Sequence, residues 1–71
     1  MDRASLLKHL AEAERHAAAG EHHITRQEGL IAALDRDGHD TTEAVKVLST
    51  LRCTQAVHEA DVRRILAELA Q

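Results

Sequence analysis

The sequence contains no phenylalanine, tyrosine, tryptophan or proline, and only one cysteine. Without aromatic side chains, the chain lacks the stacking platforms that proteins use to hold single-stranded nucleic acid. Cys53 alone cannot form an intramolecular disulfide, which suits a reducing cytoplasm. The missing proline, together with abundant alanine and leucine, favours long helices over strands. These absences predict an all-α protein.

Charge and hydropathy narrow the range of partners. The formal net charge is −3 with the histidines neutral, so the chain has no large basic field to attract nucleic acid. No apolar run approaches the length of a membrane span, and no signal peptide opens the sequence. We therefore expect a soluble cytoplasmic protein with no nucleic-acid partner and no membrane partner.

One short stretch, Asp37–Glu43, divides the sequence into two helical arms. Gly38 can take the left-handed conformation that ends a helix. Asp40, with Glu43 three residues later, matches a capping box, in which each side chain accepts a hydrogen bond from a free backbone N–H. The sequence predicts one domain over residues 1–71, with a helix at about 3–36, a turn at 37–40 and a helix at about 41–70.

Each arm carries an apolar stripe whose steps alternate between four and three residues, as in a packed helix seam. The first stripe is Leu6, Leu10, Ala13, Ala17, Gly20, Ile24, Gln27, Ile31 and Leu34. The second is Ala44, Leu48, Leu51, Gln55, His58, Val62, Ile65 and Leu69. The first keeps its spacing through Gly20, which favours a continuous helix over a break at this glycine. Because the turn is short, the sequence predicts an antiparallel two-helix hairpin.

Folding the arms about the turn pairs the two stripes layer by layer. Gly20 then falls opposite His58, and we interpret the glycine as leaving room for the imidazole. The flanking pairs are His9 with Glu68, His16 with Asp61, His23 with Thr54, Leu30 with Val47, and Glu28 with Arg52. Gln27, Gln55 and His58 form a polar middle in the seam. We favour a role for them in fixing register and partner choice over the alternative, a ligand-binding polar pocket.

Six histidines in one short chain are the most unusual feature of the composition. His9, His16 and His23 repeat every seven residues, so they share a helix face but lie about 10 Å apart along the axis. Adjacent members are therefore too far apart to share a metal readily. His58 falls near the level of His16 and His23 once the hairpin closes. The candidate metal ligands are His16, His23, His58 and Asp61, with His9 and Glu12 as a second patch.

No H-E-x-x-H motif and no Cys/His pair at zinc-finger spacing supports a metal site. We therefore favour a structural interpretation of the histidines. In it, the flanking histidines are half-buried and bond to the partners named above, His58 is a satisfied core histidine, and His22 and His39 are exposed.

Several of these features together resemble a group of short uncharacterised bacterial helical-hairpin proteins. They are the repeat of His9, His16 and His23, the pair Arg26-Gln27, the turn at residues 37–41, and Gln55 with His58. The resemblance covers nearly the whole chain. It implies the hairpin fold and a bacterial cytoplasmic setting, and it implies no activity, cofactor or catalytic residue.

The sequence carries no nucleophile–base set and no phosphate-binding loop, so we expect no enzymatic activity, no catalytic residues and no cofactor. An isolated hairpin would expose a long apolar strip, which soluble monomers avoid. That strip includes Leu7, Leu30, Val45, Val47, Val57 and Leu66. We therefore expect a homodimer, in which two hairpins form a four-helix bundle that acts as a small protein-interaction or regulatory module. The alternatives are a different protein partner for the strip, and a histidine-based protein that binds a divalent metal.

Overall fold

The computed structural model describes residues 2–71 and contains two helices that pack side by side as a hairpin. Helix α1 spans Arg3–Arg36 and helix α2 spans Thr42–Leu69. The hairpin is a rod of 53 × 14 × 13 Å. The all-α fold and the hairpin are therefore confirmed, with helix bounds within about one residue of those that the sequence predicts. Neither helix combines the length and the apolar character that crossing a membrane would need.

Both ends of helix α1 have identifiable caps, a side chain at the start and a glycine backbone at the end. The backbone N–H of Ser5 donates to the Asp2 carboxylate over 2.7 Å, which closes the first turn and lowers the pKa of that carboxyl. At the other end, Gly38 has a φ of 74°, and the N–H of His39 donates to the Leu34 carbonyl over 2.9 Å. Gly38 therefore ends the helix as predicted, because glycine takes this left-handed conformation without steric cost.

Helix α2 keeps half of the predicted capping box, although its N-cap residue is Thr41, one residue after Asp40. The backbone N–H and the hydroxyl of Thr42 both donate to the Asp40 carboxylate, over 2.9 and 2.7 Å. Glu43 does not return the contact; its carboxylate pairs instead with Lys46 at 3.3 Å, one turn further along the helix. The reciprocal bond was predicted wrongly because a lysine at i+3 competes for the same carboxylate.

Asp40 gives a first testable prediction. The hydroxyl and the N–H of Thr42 lower the pKa of the Asp40 carboxyl. Its ionised form therefore stabilises the fold above the ordinary aspartate value of about 3.9, and this contribution is lost as the pH falls through the lowered value. We expect Asp40→Ala to lower the melting temperature by a few degrees at neutral pH, and the difference to vanish in acid.

Asp37→Ala is the matched control for Asp40→Ala, because it also removes an exposed turn carboxylate. Within residues 2–71, no hydrogen bond is formed by the Asp37 side chain. Thermal melts followed by circular dichroism should leave Asp37→Ala close to the parent protein. Equal losses in the two variants would show that turn charge, and not the cap, explains the effect.

The predicted seam is confirmed at every position of both stripes. Each of these residues is buried or half-buried, whereas most of the rest of the rod is exposed. The best-packed cluster consists of Leu6, Ala13 and Ile65, with Leu10, Val62 and Leu69 packed against it. No described side chain is completely buried. The hairpin therefore has a continuous but thin core.

Continuous helical structure passes through Gly20, as the unbroken stripe predicts. The pair Glu28–Arg52 also forms as predicted, with 3.2 Å between the carboxylate and the guanidinium. Both side chains are more than half exposed, so this ion pair adds little stability. Its value lies in showing that the two helices are aligned close to the predicted register.

Candidate functional site

Gln55 is the most deeply buried polar residue of the seam, at 5% exposure. Its side-chain amide donates to the Ala17 carbonyl of α1 over 2.8 Å. Its Oε1 atom has no hydrogen-bond partner among residues 2–71. That oxygen lies in the space left by the missing side chain of Gly20, where an added Cβ would also come within 2.8 Å of Gln55 Cδ.

The predicted partner of Gly20 is therefore wrong, since Gln55, and not His58, fills the space beside the glycine. The prediction treated the seam as flat layers of facing residues. In the structure a stripe residue of one helix packs into the gap between successive stripe residues of the other, as knobs fit into holes. His58 still lies at nearly the same level, because it borders the same surface depression as Gly20.

Gln27 forms a second bond across the seam. Its side-chain amide donates to the Ala44 carbonyl of α2 over 2.9 Å. Gln27 and Gln55 thus each tie one helix to the backbone of the other, in opposite directions. Sliding the helices past each other would break both bonds and leave buried amides unpaired, which is costly. This geometry supports the interpretation that the polar middle fixes the register.

The predicted histidine–acid pairs do not form. The carboxylates of Glu68 and Asp61 pair instead with Arg64, whose guanidinium lies 3.1 Å from Glu68 and 3.5 Å from Asp61. His9 and His16, the expected partners of these acids, are exposed and not half-buried. The prediction considered only contacts between helices. Arg64 is three and four residues from the two acids on the same helix, a spacing that brings their side chains together locally.

His23 is also exposed, and it forms no hydrogen bond with Thr54 within the described chain. His22 and His39 are exposed as predicted. His58 is half-buried, but its ring makes no hydrogen bond to any of residues 2–71 and is therefore not the satisfied core histidine that the sequence favoured. The structural explanation of the histidines thus loses the bonds on which it depended.

His16 and His58 are the histidines that the fold brings together. Their ring centroids are 5.5 Å apart, and the ring planes are inclined by 54°. Both rings border an open depression of about 250 Å³, together with His23, Thr54 and apolar atoms of the seam. Gln55, with its unpartnered oxygen, borders it as well. This depression is the strongest candidate site on the hairpin.

The other candidate ligands lie in a separate place. Asp61, His9 and Glu12 border the next depression toward the chain ends, where His16 is the residue common to both. In the part of the chain that the structure describes, no three histidine, cysteine, aspartate or glutamate side chains are grouped so that they could hold a metal ion. The four-residue candidate set is therefore not assembled within one hairpin.

The two long sides of the rod differ in chemistry. One side, which we call the histidine face, contains His9, His16 and His23 and carries adjoining depressions that share these residues. The opposite side, which we call the acidic face, contains Glu14, Glu21 and Glu59 around a depression floored by small apolar residues. The sequence predicts the histidine pairs on one side of the seam and the pair Glu28–Arg52 on the other, but the grouping of Glu14, Glu21 and Glu59 was not predicted.

Six large apolar side chains are exposed, as the sequence predicts: Leu7, Leu30, Val45, Val47, Val57 and Leu66. They do not form one strip, because seven-residue spacing divides them between the two faces. Three of them lie on the histidine face. Leu30 borders a depression there together with His23. Val47 and Val57 precede Thr54 and Arg64 of the same face by seven residues. Leu7, Val45 and Leu66 lie seven residues from Glu14, Arg52 and Glu59, on the acidic face.

No family model, no curated protein and no solved structure matches this chain. The two adjacent imidazoles in this open depression can form hydrogen bonds with a ligand, and their nitrogens can coordinate a metal.

Proposed function

We propose that the protein is a small non-enzymatic interaction or regulatory module that works as a homodimer, with two hairpins packed into a four-helix bundle. One observation carries the proposal. Among residues 2–71, six large apolar side chains are 44–62% exposed, whereas only four apolar residues are buried and the other apolar residues of the seam are half-buried. The core of one hairpin therefore leaves a large part of its apolar surface in contact with water.

A second hairpin is the simplest cover for these side chains. A single core in a chain of this size rarely supplies more than about 3–5 kcal/mol of stability, and small proteins often add disulfides, metals or association. The single cysteine, Cys53, is exposed and cannot staple the hairpin to itself. Packing one face of each hairpin against the other enlarges the core, and two-fold symmetry is the commonest way to do so.

The cellular setting belongs to the same proposal. A free exposed thiol at Cys53 is compatible with a reducing cytoplasm, which the resemblance to bacterial hairpin proteins also implies. The net charge of −3 and the absence of aromatic residues argue against a nucleic-acid partner. A second protein docked on the same apolar side chains is the alternative occupant.

Light scattering on protein without an affinity tag, in buffer containing EDTA, tests the proposal. We expect the mass of two chains at micromolar concentration, and a melting temperature that rises with protein concentration because folding is coupled to association. Cys53→Ser should give the same mass, since the outer thiol is not part of the bundle. A stably folded monomer of 7.8 kDa at these concentrations would contradict the proposal.

A further inference from the structure

We infer that two hairpins meet through their histidine faces and hold one divalent transition-metal ion, such as zinc, between their paired His16 and His58 side chains. The inference rests on the proposed homodimer and adds to it an interface and a ligand.

The distribution of charge favours one of the two faces as the dimer interface. A two-fold interface brings each face against a copy of itself. On the acidic face, Glu14, Glu21 and Glu59 border one depression, and Glu28 follows seven residues after Glu21; the cations on that side are Arg52, which pairs with Glu28, and Arg63, four residues after Glu59. Two copies would bring these carboxylates together, and like charges across an interface are strongly unfavourable.

The histidine face has a better charge balance. The acids Glu12, Asp61 and Glu68 are accompanied there by Arg26 and Arg64, and Arg64 already pairs with two of them. The face also presents the exposed Leu30, Val47 and Val57. It therefore offers apolar surface without a concentration of like charge, which suits contact with a second copy.

Ring geometry indicates a metal. Two imidazoles that bind one tetrahedral zinc ion through Zn–N bonds of about 2.0–2.1 Å have ring centroids roughly 5 Å apart. The centroids of His16 and His58 are 5.5 Å apart. Neither ring has a hydrogen-bond partner among the described residues, so their nitrogens are free to coordinate. Gln55 also borders the depression, but its unpartnered Oε1 atom is buried beside Gly20 and accepts no hydrogen bond from either ring.

Two imidazoles are only half of a tetrahedral site, and a parallel two-fold dimer supplies the other half. His16 and His58 lie toward the chain ends from the midpoints of α1, Arg3–Arg36, and of α2, Thr42–Leu69, so an antiparallel dimer would hold each ring roughly 8–10 Å from its copy, too far to share an ion. In a parallel dimer, whose two-fold axis runs along the rods, each residue lies level with its own copy. The dimer would therefore bring four imidazoles together, a ligand set that suits zinc.

Zinc titration of the tag-free, EDTA-treated dimer tests the metal site. We expect calorimetry to give one zinc ion per two chains, and the melting temperature to rise with bound zinc. His16→Gln and His58→Gln should each weaken zinc binding by more than about tenfold, because losing even a second-shell partner of a ligand costs that much. His39→Gln, in the exposed turn, should bind zinc as the parent does. His16 is exposed, so its variant keeps the test valid if His58→Gln fails to fold.

Two valines form a matched test of the interface. Val47 and Val45 are 48% and 44% exposed and lie two residues apart on opposite faces. Val47→Glu should shift the light-scattering mass toward the monomer, whereas Val45→Glu should leave the dimer intact. The reverse pattern would overturn the choice of face.

The remaining outcomes separate the inference from the proposed function. A dimer that binds no zinc, or that binds one zinc ion per chain, would overturn the shared metal site and leave the proposed function standing. A folded monomer that zinc does not assemble would overturn both.

Discussion

Replacing Gly20 with leucine is expected to lower the free energy of unfolding by about 1–3 kcal/mol, the usual cost of overpacking a fitted site. The substitution improves helix propensity by about 0.8 kcal/mol, so propensity alone would give the opposite sign. Steric exclusion should prevail, because even a Cβ at this position would overlap with Gln55 Oε1. Gln55 would have to leave its bond to the Ala17 carbonyl and expose its amide or bury it unpaired.

Gly29→Leu is the matched control for Gly20→Leu. An added Cβ at Gly29 meets nothing within 4 Å, so leucine there should raise stability by its gain in propensity. In a Gln55→Ala background, where the obstacle is gone, Gly20→Ala should become stabilising. Urea denaturation at one fixed protein concentration measures all four variants. A Gly20→Leu protein more stable than the parent would show that Gly20 does not face a filled position.

Ile65→Ala is expected to have the largest effect of any single substitution proposed for this chain. Ile65 is the most buried apolar residue, at 4% exposure, and it belongs to the cluster with Leu6 and Ala13. Deleting a buried aliphatic side chain of this size costs about 2–5 kcal/mol. Domains are stabilised by roughly 0.05–0.15 kcal/mol per residue, so the loss amounts to a large share of the stability of a chain this short.

The adjacent residue provides the control for Ile65→Ala. Leu66 is 49% exposed and lies on the acidic face, so Leu66→Ala removes a side chain of equal size from the surface. We expect a change under about 1 kcal/mol, since little buried area is lost and alanine is the better helix former. Chemical denaturation of both variants at matched concentration gives the comparison. Similar losses would mean that the chain-end cluster does not dominate the core.

The seam could be predicted residue by residue because a helix seam depends on one quantity, the spacing of apolar positions. Every stripe residue from Leu6 to Leu34 and from Ala44 to Leu69 is at least half-buried. The six exposed apolar residues follow from the same spacing, since they are the positions that widen each stripe beyond what one partner helix covers. Gly38 was predictable because few residues other than glycine adopt its positive φ.

The site was predicted less well, because it depends on competition between nearby partners. Asp61 and Glu68 could bond to a histidine across the seam or to Arg64 on their own helix, and the local arginine takes both. Gln55 and His58 could each fill the space at Gly20, and the choice depends on how stripe residues interlock rather than on their spacing. The approach of His16 to His58 was predictable only as a shared level along the rod, and not as a contact between rings.

The position of the best-packed cluster has a consequence for how the chain folds. Leu6, Ala13 and Ile65 lie at the end of the rod far from the turn, so their contacts close the longest loops in the chain. Closing the loop from Leu6 to Leu69 costs roughly 1.5–2 kcal/mol more chain entropy than closing the loop from Leu34 to Ala44. The contacts that cost the least chain entropy to form are therefore not those that bury the most apolar surface. Because this cluster joins the two ends of the sequence, we expect the helix tips to fray less than chain termini usually do.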